Sequence, residues 1–389
     1  MLIPRRITVL LQDLGTFFPI LSLTGPRQAG KTTLLRHLYP GYRYVSLENP
    51  TTLSQALDDP EGFLREYDDR VIFDEAQRFP ELFSYLQEVV DLDRRPGRFV
   101  LSGSQNFLLR KNISQSLAGR VGVAKLLPLD IAEMRRAGLL PESAWEAVYR
   151  GAYPELIERG YRATRFYDSY LQTYLQRDVT ELINFGNLRT FERFLRICAT
   201  FAGQAINLSK IAKEAGISVP TVRSWLGILE QSYVLFQLSP YHRNRGKRLT
   251  KTPKLYFYDT GLACHLLGFT APEELPQYDR KGALFENMIV ADAHKSCLHQ
   301  GRPLRFTFYR DSRKNEVDLV YETALEASLW EIKSGRRFRD GMTTVLDRVA
   351  ASWDRPTRQY LIYRGEDEVL KGKTQLVNWG RVEWGGGVS

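Results

Sequence analysis

Residues 25–32 read GPRQAGKT, with the apolar run FFPILSLT before them and TLLRHL after them. The spacing G-x-x-x-x-G-K-[ST] between a strand and a helix is the phosphate-binding P-loop. Few short sequences constrain a fold as much. Gly25 and Gly30 let the backbone turn so that successive N–H groups point at an anion. The helix beginning near Lys31 adds the positive end of its dipole. Gly25, Pro26, Arg27, Gln28, Ala29, Gly30, Lys31, Thr32 and Thr33 are therefore the candidate nucleotide-binding residues. Lys31 reaches the β/γ-phosphates in this reading, and the Thr32 hydroxyl ligates Mg²⁺.

A second stretch, RVIFDEAQRF, supplies an apolar strand ending in Asp74-Glu75. Asp74 is placed to hold Mg²⁺ through water, and Glu75 to orient or deprotonate the attacking water. The plainer reading is an acidic helix cap; after a P-loop, the acidic pair implies hydrolysis as well as binding. A third strand, GRFVLSGSQ, turns polar at Ser102-Gly-Ser104-Gln105, where Ser104 is a candidate sensor of the γ-phosphate from between the first two strands. Arg120, in SLAGRV, is either a surface arginine or an arginine finger.

Residues 1–150 alternate strand and helix, with strands expected near 19–24, 43–47, 70–74, 98–102 and 122–127. This predicts an α/β domain with a doubly wound parallel sheet and nucleotide at the C-terminal ends of its strands. Residues 151–270 turn helical, and INLSKIAKEAGISVPTVRSWLGILEQ carries a helix-turn-helix pattern. In that pattern Ala212 sits where the helices touch, Gly216 in the left-handed turn, and Val222 and Trp225 on the inner face of the second helix. Ser209 and Ser218 are the expected caps.

Two strands then bracket YHRNRGKRLTKTPK, which has six Lys/Arg and no Asp or Glu, so a winged helix is expected. The net charge is +9. The second helix offers Thr221, Arg223 and Ser224 on its outer face but little else for base readout. Arg243, Arg245, Lys247, Arg248 and Lys251 suit phosphate contacts, which position without specifying sequence. Backbone-directed, structure-selective DNA binding is expected; the alternative is a packing module with a solvated wing.

Residues 271–389 run helix, three strands, helix, strand. Glu286 lies on the first helix, Asp318 on one strand, and Glu331 and Lys333 flank Ile332 on the next, sharing a face. Asp318 and Glu331, with Glu286, form a candidate Mg²⁺ site, and Lys333 stands ready to activate a water against phosphate. This is the D…E-x-K arrangement of nucleases. The bland alternative is that these acids pair with arginines such as Arg310 or Arg313.

No apolar run approaches the ~20 residues of a membrane span, and no export signal is expected from the N-terminal residues. Three scattered cysteines suggest neither a disulfide scaffold nor a zinc site. The cytoplasm is the expected compartment.

GPRQAGKTTLL, VIFDEAQ, VLSGSQ, SLAGRV…LLPLDIAEM, GAYPE, YLQRDV, KTPKLYFYDTGL and EVDLV…WEIKSG span nearly the whole chain. Together they resemble a large prokaryotic group of AAA-type (AAA+ superfamily) P-loop ATPases. Members carry a central winged helix and a C-terminal restriction-endonuclease-like (PD-(D/E)xK) domain. The resemblance implies ATP as nucleotide and an AAA-like core. By that likeness Lys31 and Thr32 carry over to phosphate and Mg²⁺, and Asp74 and Glu75 to Mg²⁺ and water. Asp318, Glu331 and Lys333 carry over to the nuclease-like site, where Val317 replaces the usual proline. AAA-type proteins often work as rings, so a homo-oligomer is expected, ring-shaped if Arg120 enters a neighbour's site. Two functional readings follow. One is an ATPase that remodels, translocates on or processes branched or broken DNA. The other is a nucleotide-dependent switch contacting a protein or an operator, with an inert nuclease fold.

Overall fold

In the computed structural model, which describes residues 3–104, 117–173, 188–241 and 252–384, strand β1 (Ile20–Thr24) is buried along its whole length. A strand with both faces covered belongs at the centre of a parallel sheet. That is where it lies: β2 (Arg43–Ser46), β3 (Val71–Asp74), β4 (Phe99–Gly103), β1 and β5 (Val121–Lys125) form a five-stranded sheet in the order β2-β3-β4-β1-β5. All its pairings are parallel. Alternation sends Ile20, Val71, Phe73, Phe99 and Leu101 to one core, and Leu21, Leu23, Ile72 and Val100 to the other. Helix Ile7–Phe17 contributes Ile7 and Leu11 to the second core.

The chain divides into two compact units: Met1–Leu129 with Gln231–Tyr233 and Leu298–Arg302, and Asp130–Glu230 with Val234–Cys297 and Pro303–Ser389. The first unit ends before the boundary expected near 150. Helices Ile131–Arg136 and Ala144–Arg150 instead join the second unit, where the Ile131 amide donates to Asp292 at 2.6 Å and Trp145 meets Phe285 edge-on.

Within the second unit, helices Leu188–Thr200, Leu208–Ala215 and Val219–Gln231 pack together, with Phe191 and Phe194 each meeting the Trp225 ring edge-on at 5.2 Å. Gly216 adopts φ +73° and ends the middle helix, its amide reaching Ala212 O at 2.9 Å. Ser218 caps the next helix through the Thr221 amide. Ser209 does not cap the middle helix. Asn207 does, accepting from the Lys210 amide at 2.9 Å, because it precedes the first helical turn whereas Ser209 lies inside it. Strands β6 (Gln204–Ala205), β7 (Leu235–Leu238) and β8 (Lys254–Phe257) form an antiparallel sheet in the order β6-β8-β7.

A six-stranded mixed sheet follows helix Lys281–His299: β9 (Phe306–Arg310), β10 (Glu316–Glu322), β11 (Ala327–Lys333), β12 (Thr357–Tyr363), β13 (Leu370–Lys371) and β14 (Thr374–Asn378), in the order β13-β14-β12-β11-β10-β9. All three cysteines are free and buried. Among the described residues no helix is long and apolar enough to cross a membrane.

Candidate nucleotide site and acidic cluster

The loop GPRQAGKT leaves the C-terminal end of β1 and enters helix Lys31–Leu38. Gly25 has φ +156°, and a Cβ there would lie 1.9 Å from Leu126 O, so the loop leaves no room for a side chain. Gly30 caps the helix at φ +90°. Lys31 is buried, and its Nζ donates to the carbonyls of Gly25 at 2.8 Å and Pro26 at 2.9 Å. Arg27 lies 4.0 Å from Glu48, and Gln28 and Thr33 are exposed.

β4 separates β1 from β3, so the loop and the acidic pair face each other across one intervening strand. Asp74 ends β3 and gathers four donors. Thr32 Oγ1 reaches its Oδ2 at 2.9 Å and Tyr44 Oη at 2.6 Å, while the Glu75 amide reaches Oδ1 at 3.2 Å and Ser102 Oγ bonds the same oxygen. Burial, then the bond to Asp74, pushes the Tyr44 hydroxyl well above its ordinary pKa, so it stays a donor. Glu75 sits at φ +53°, and its Oε2 accepts from Ser104 Oγ at 3.2 Å and from Gln77 Nε2. The candidate sensor Ser104 thus touches the candidate base. Gln105 lies outside the described residues.

Three contributors escaped the sequence reading. Arg5 is buried and donates to Ala29 O at 2.8 Å, inside the loop, and to Leu127 O at 2.6 Å. Tyr44 holds Asp74. Tyr233 places its hydroxyl 2.8 Å from Thr24 Oγ1, immediately before Gly25. None has a local motif; each is recognisable only by what it meets. Arg120 lies away from this site. It precedes β5, and its carbonyl accepts from the Ile20 amide at the N-terminal end of β1, whereas the loop leaves the other end. The five residues of β1 separate the two by roughly 17 Å.

The acidic residues of the second unit converge. β10 pairs antiparallel with β11 through Leu319–Trp330, and continuing that register sets Asp318 opposite Glu331. The pairing of β10 with β9 slips between Val317 and Val320, an irregularity of the kind that re-aims a side chain. Asp318 accepts from the Ile332 amide at 2.8 Å, and Lys333 Nζ bonds Glu331. From helix Lys281–His299, Glu286 accepts from Lys254 Nζ at 2.8 Å and from Tyr256 Oη at 2.6 Å. Lys254 also reaches Glu316 at 2.5 Å and lies 4.0 Å from Asp318.

Lys254 corrects an expectation. It was counted with the basic stretch, yet it is 4% exposed and its charge is taken up by carboxylates. The acids pair with these lysines; Arg310 instead pairs with Glu316, at 3.5 Å.

Burial, then Asp318, pushes the Glu331 carboxyl up to about 8. Burial raises Glu286 to about 7 even against the pull of Lys254. Asp318 moves up for the same first reason. Burial opposes the Lys254 charge, but Glu286 and the groups around it outweigh burial and hold its pKa well above normal. Arg223 is exposed, as expected for the outer face of its helix. Arg243, Arg245, Lys247, Arg248 and Lys251 lie outside the described residues.

A parallel sheet with a glycine loop at the end of β1 and an acidic pair at the end of β3 defines a P-loop ATPase of the AAA type. The family described as AAA domain matches residues 18–135. Two domains of unknown function match the remainder, DUF8612 over residues 141–273 and DUF4143 over residues 281–381. The chain belongs to the same family as the uncharacterized protein Rv2008c of Mycobacterium tuberculosis, with 32% identity over 318 residues, 81% of this chain and 70% of that protein. The uncharacterized protein MJ1544 of Methanocaldococcus jannaschii is 24% identical over 331 residues, 76% of this chain and 70% of that one. Among solved structures, the Walker-type ATPase PABY2304 of Pyrococcus abyssi aligns with a TM-score of 0.44 at 16% identity, covering 68% of this chain and 96% of that chain. RuvB of Thermotoga maritima aligns at 0.32 and 19%, covering 60% of this chain and 87% of that chain.

Proposed function

We propose that this ATPase couples ATP hydrolysis to work on DNA, gripping the backbone with little regard for sequence. The supporting observation is the convergence of Glu286, Asp318, Glu331 and Lys333, drawn from one helix and two strands, into a single, partly buried cluster. Carboxylates beside a lysine are the donor set for hydrolysing phosphodiesters. The three-helix packing, the turn at Gly216 and the β7–β8 pair flanking the basic stretch support a winged helix between the ATPase and a nuclease-like domain, a functional division at 1–150, 151–270 and 271–389.

In the ATPase, loop amides and Lys31 bind the phosphates, Glu75 orients water, and Ser104 and Gln77 hold the Glu75 carboxylate. The Thr32 hydroxyl and Asp74 carboxylate, already 2.9 Å apart, form an oxygen donor set suited to Mg²⁺. Bound there with ATP, the ion supplies charge neutralisation at the β- and γ-phosphates. Tyr44 and Ser102 keep Asp74 aimed.

The test is the ATPase rate with no DNA and with duplex, single-stranded and four-way-junction DNA. Stimulation of at least about tenfold by one form, unchanged when its sequence is scrambled, is expected. A rate indifferent to every DNA refutes the coupling. The presence of Lys254 among the acids favours one second reading, a nucleotide-dependent switch for a protein or operator with a nuclease-like fold that does not cut. A DNA-indifferent ATPase with no nicking of supercoiled DNA in Mg²⁺ or Mn²⁺ would select it.

A further inference from the structure

The acids that a divalent ion would need are already bonded to a cation. Lys254 Nζ lies 2.8 Å from Glu286 and 2.5 Å from Glu316, with Asp318 at 4.0 Å. Hard cations bind carboxylate oxygens at roughly 2.0–2.6 Å, so the ammonium stands where such an ion would stand. Two positive centres cannot share that position, since like charges a few ångströms apart in a poorly solvated site repel strongly. The local charges agree. Four carboxyls (Glu286, Glu316, Asp318 and Glu331) meet Lys254 and Lys333, with Arg310 on Glu316. Three cations against four carboxyls leave little net negative charge to attract a divalent ion.

We infer that Lys254 is the resident counter-ion of this cluster, excluding divalent metal from Glu286, Asp318 and Glu331 until its ammonium is withdrawn. The inference rests on the cluster being a cation-binding set, and it adds the residue that controls entry. Lys254 enters from β8, on a different sheet from Asp318 and Glu331. The control therefore depends on how β8 is seated against helix Lys281–His299, where the Asn287 side chain bonds both the amide and the carbonyl of Phe257.

The experiment is Mn²⁺ titration of the full-length, nucleotide-free protein, followed by calorimetry and by melting temperature. Asp74→Asn in every sample removes the P-loop as a source of signal. The parent should bind no Mn²⁺ in the millimolar range. Lys254→Met should gain one ion, at least about tenfold tighter than any parental binding, and Lys254→Met with Asp318→Asn should lose it. Mn²⁺ should raise the melting temperature of Lys254→Met alone. Should that variant fail to fold, Lys254→Met with Glu316→Gln removes one charge of each sign and carries the same expectation. Parental binding as tight as that of the variant overturns the inference. So does a folded variant that binds nothing, which would make the cluster a structural ion-pair network. Neither result involves DNA, so neither bears on the stimulation assay.

Discussion

Arg120 grips Asp91 with two hydrogen bonds, Nε to Oδ1 at 2.7 Å and Nη2 to Oδ2 at 2.6 Å, while Nη1 donates to Ala118 O at 3.1 Å. The bond to Asp91 raises the guanidinium pKa and lowers that of the acid. Because Arg120 stands at the N-terminal edge of the sheet, it cannot serve the nucleotide site of its own chain. A finger role requires a neighbouring copy and release from Asp91. Inactive Glu75→Gln and inactive Arg120→Ala subunits should then recover activity when mixed into one oligomer. Asp91→Ala, which frees the guanidinium, should keep its ATPase. If Asp91→Ala falls as far as Arg120→Ala, the arginine matters only as half of an ion pair.

Glu75→Gln should cut turnover at least about a hundredfold while nucleotide affinity stays nearly unchanged. Lys31→Ala should weaken both. Ser104→Ala frees the Glu75 carboxylate on one side and should lower turnover by a smaller factor, roughly three- to tenfold. Single-turnover hydrolysis beside equilibrium binding of a fluorescent nucleotide separates the cases. Wild-type hydrolysis by Glu75→Gln would assign the base elsewhere.

Tyr233→Phe removes the hydroxyl that meets Thr24 and leaves a buried Thr24 oxygen without that partner, so about 1–3 kcal/mol of stability should be lost. Because Thr24 leads directly into Gly25, nucleotide affinity should drop as well. Thr24→Val alone should be similarly costly, and the double variant should be less destabilised than the sum of the two. Additive losses in urea unfolding would mean that the two side chains act separately.

His294 predicts a pH dependence. Its ring lies 4.0 Å from that of Phe236 and 5.8 Å from that of Phe306, both ring nitrogens lack hydrogen bonds among the described residues, and burial lowers its pKa to about 3. The unfolded chain, with an ordinary His pKa near 6.5, binds a proton that the folded chain refuses. Stability from this group is therefore full above about 6.5 and falls with pH toward 3, by about 1.4 kcal/mol per pH unit. Glu286 and Glu331 have raised pKa values and run the opposite way, gaining relative stability as pH falls from about 8 toward 4.5. The clean measurement is therefore a difference. The melting temperature of His294→Phe relative to wild type should climb steadily as pH is lowered from 6.5 to 4.5. A constant difference would mean that His294 takes up a proton as readily in the fold as in the unfolded chain.

Contiguous chemistry was legible in the sequence. The glycines of GPRQAGKT state their backbone needs within eight residues, and the alternation of strands and helices around them leaves few alternatives to a parallel sheet. Asp74-Glu75 could be read because the two acids adjoin at the end of an apolar run, and Gly216 because a left-handed turn selects glycine. The third strand was expected between the first two, and β4 does lie between β1 and β3, which is why Ser102 and Ser104 reach the acidic pair. Arg5, Tyr44, Tyr233 and Lys254 have no local signature, because a hydroxyl or a charge reveals its task only through the partner that folding brings to it. Lys254 is the sharpest case. By composition it closes a basic stretch, and by position it is the buried counter-charge to acids that lie 32 to 64 residues further along the chain. Local sequence dictates backbone conformation; which charges neutralise each other is decided by tertiary packing, since a buried charge has no water to turn to and must find its partner in the fold.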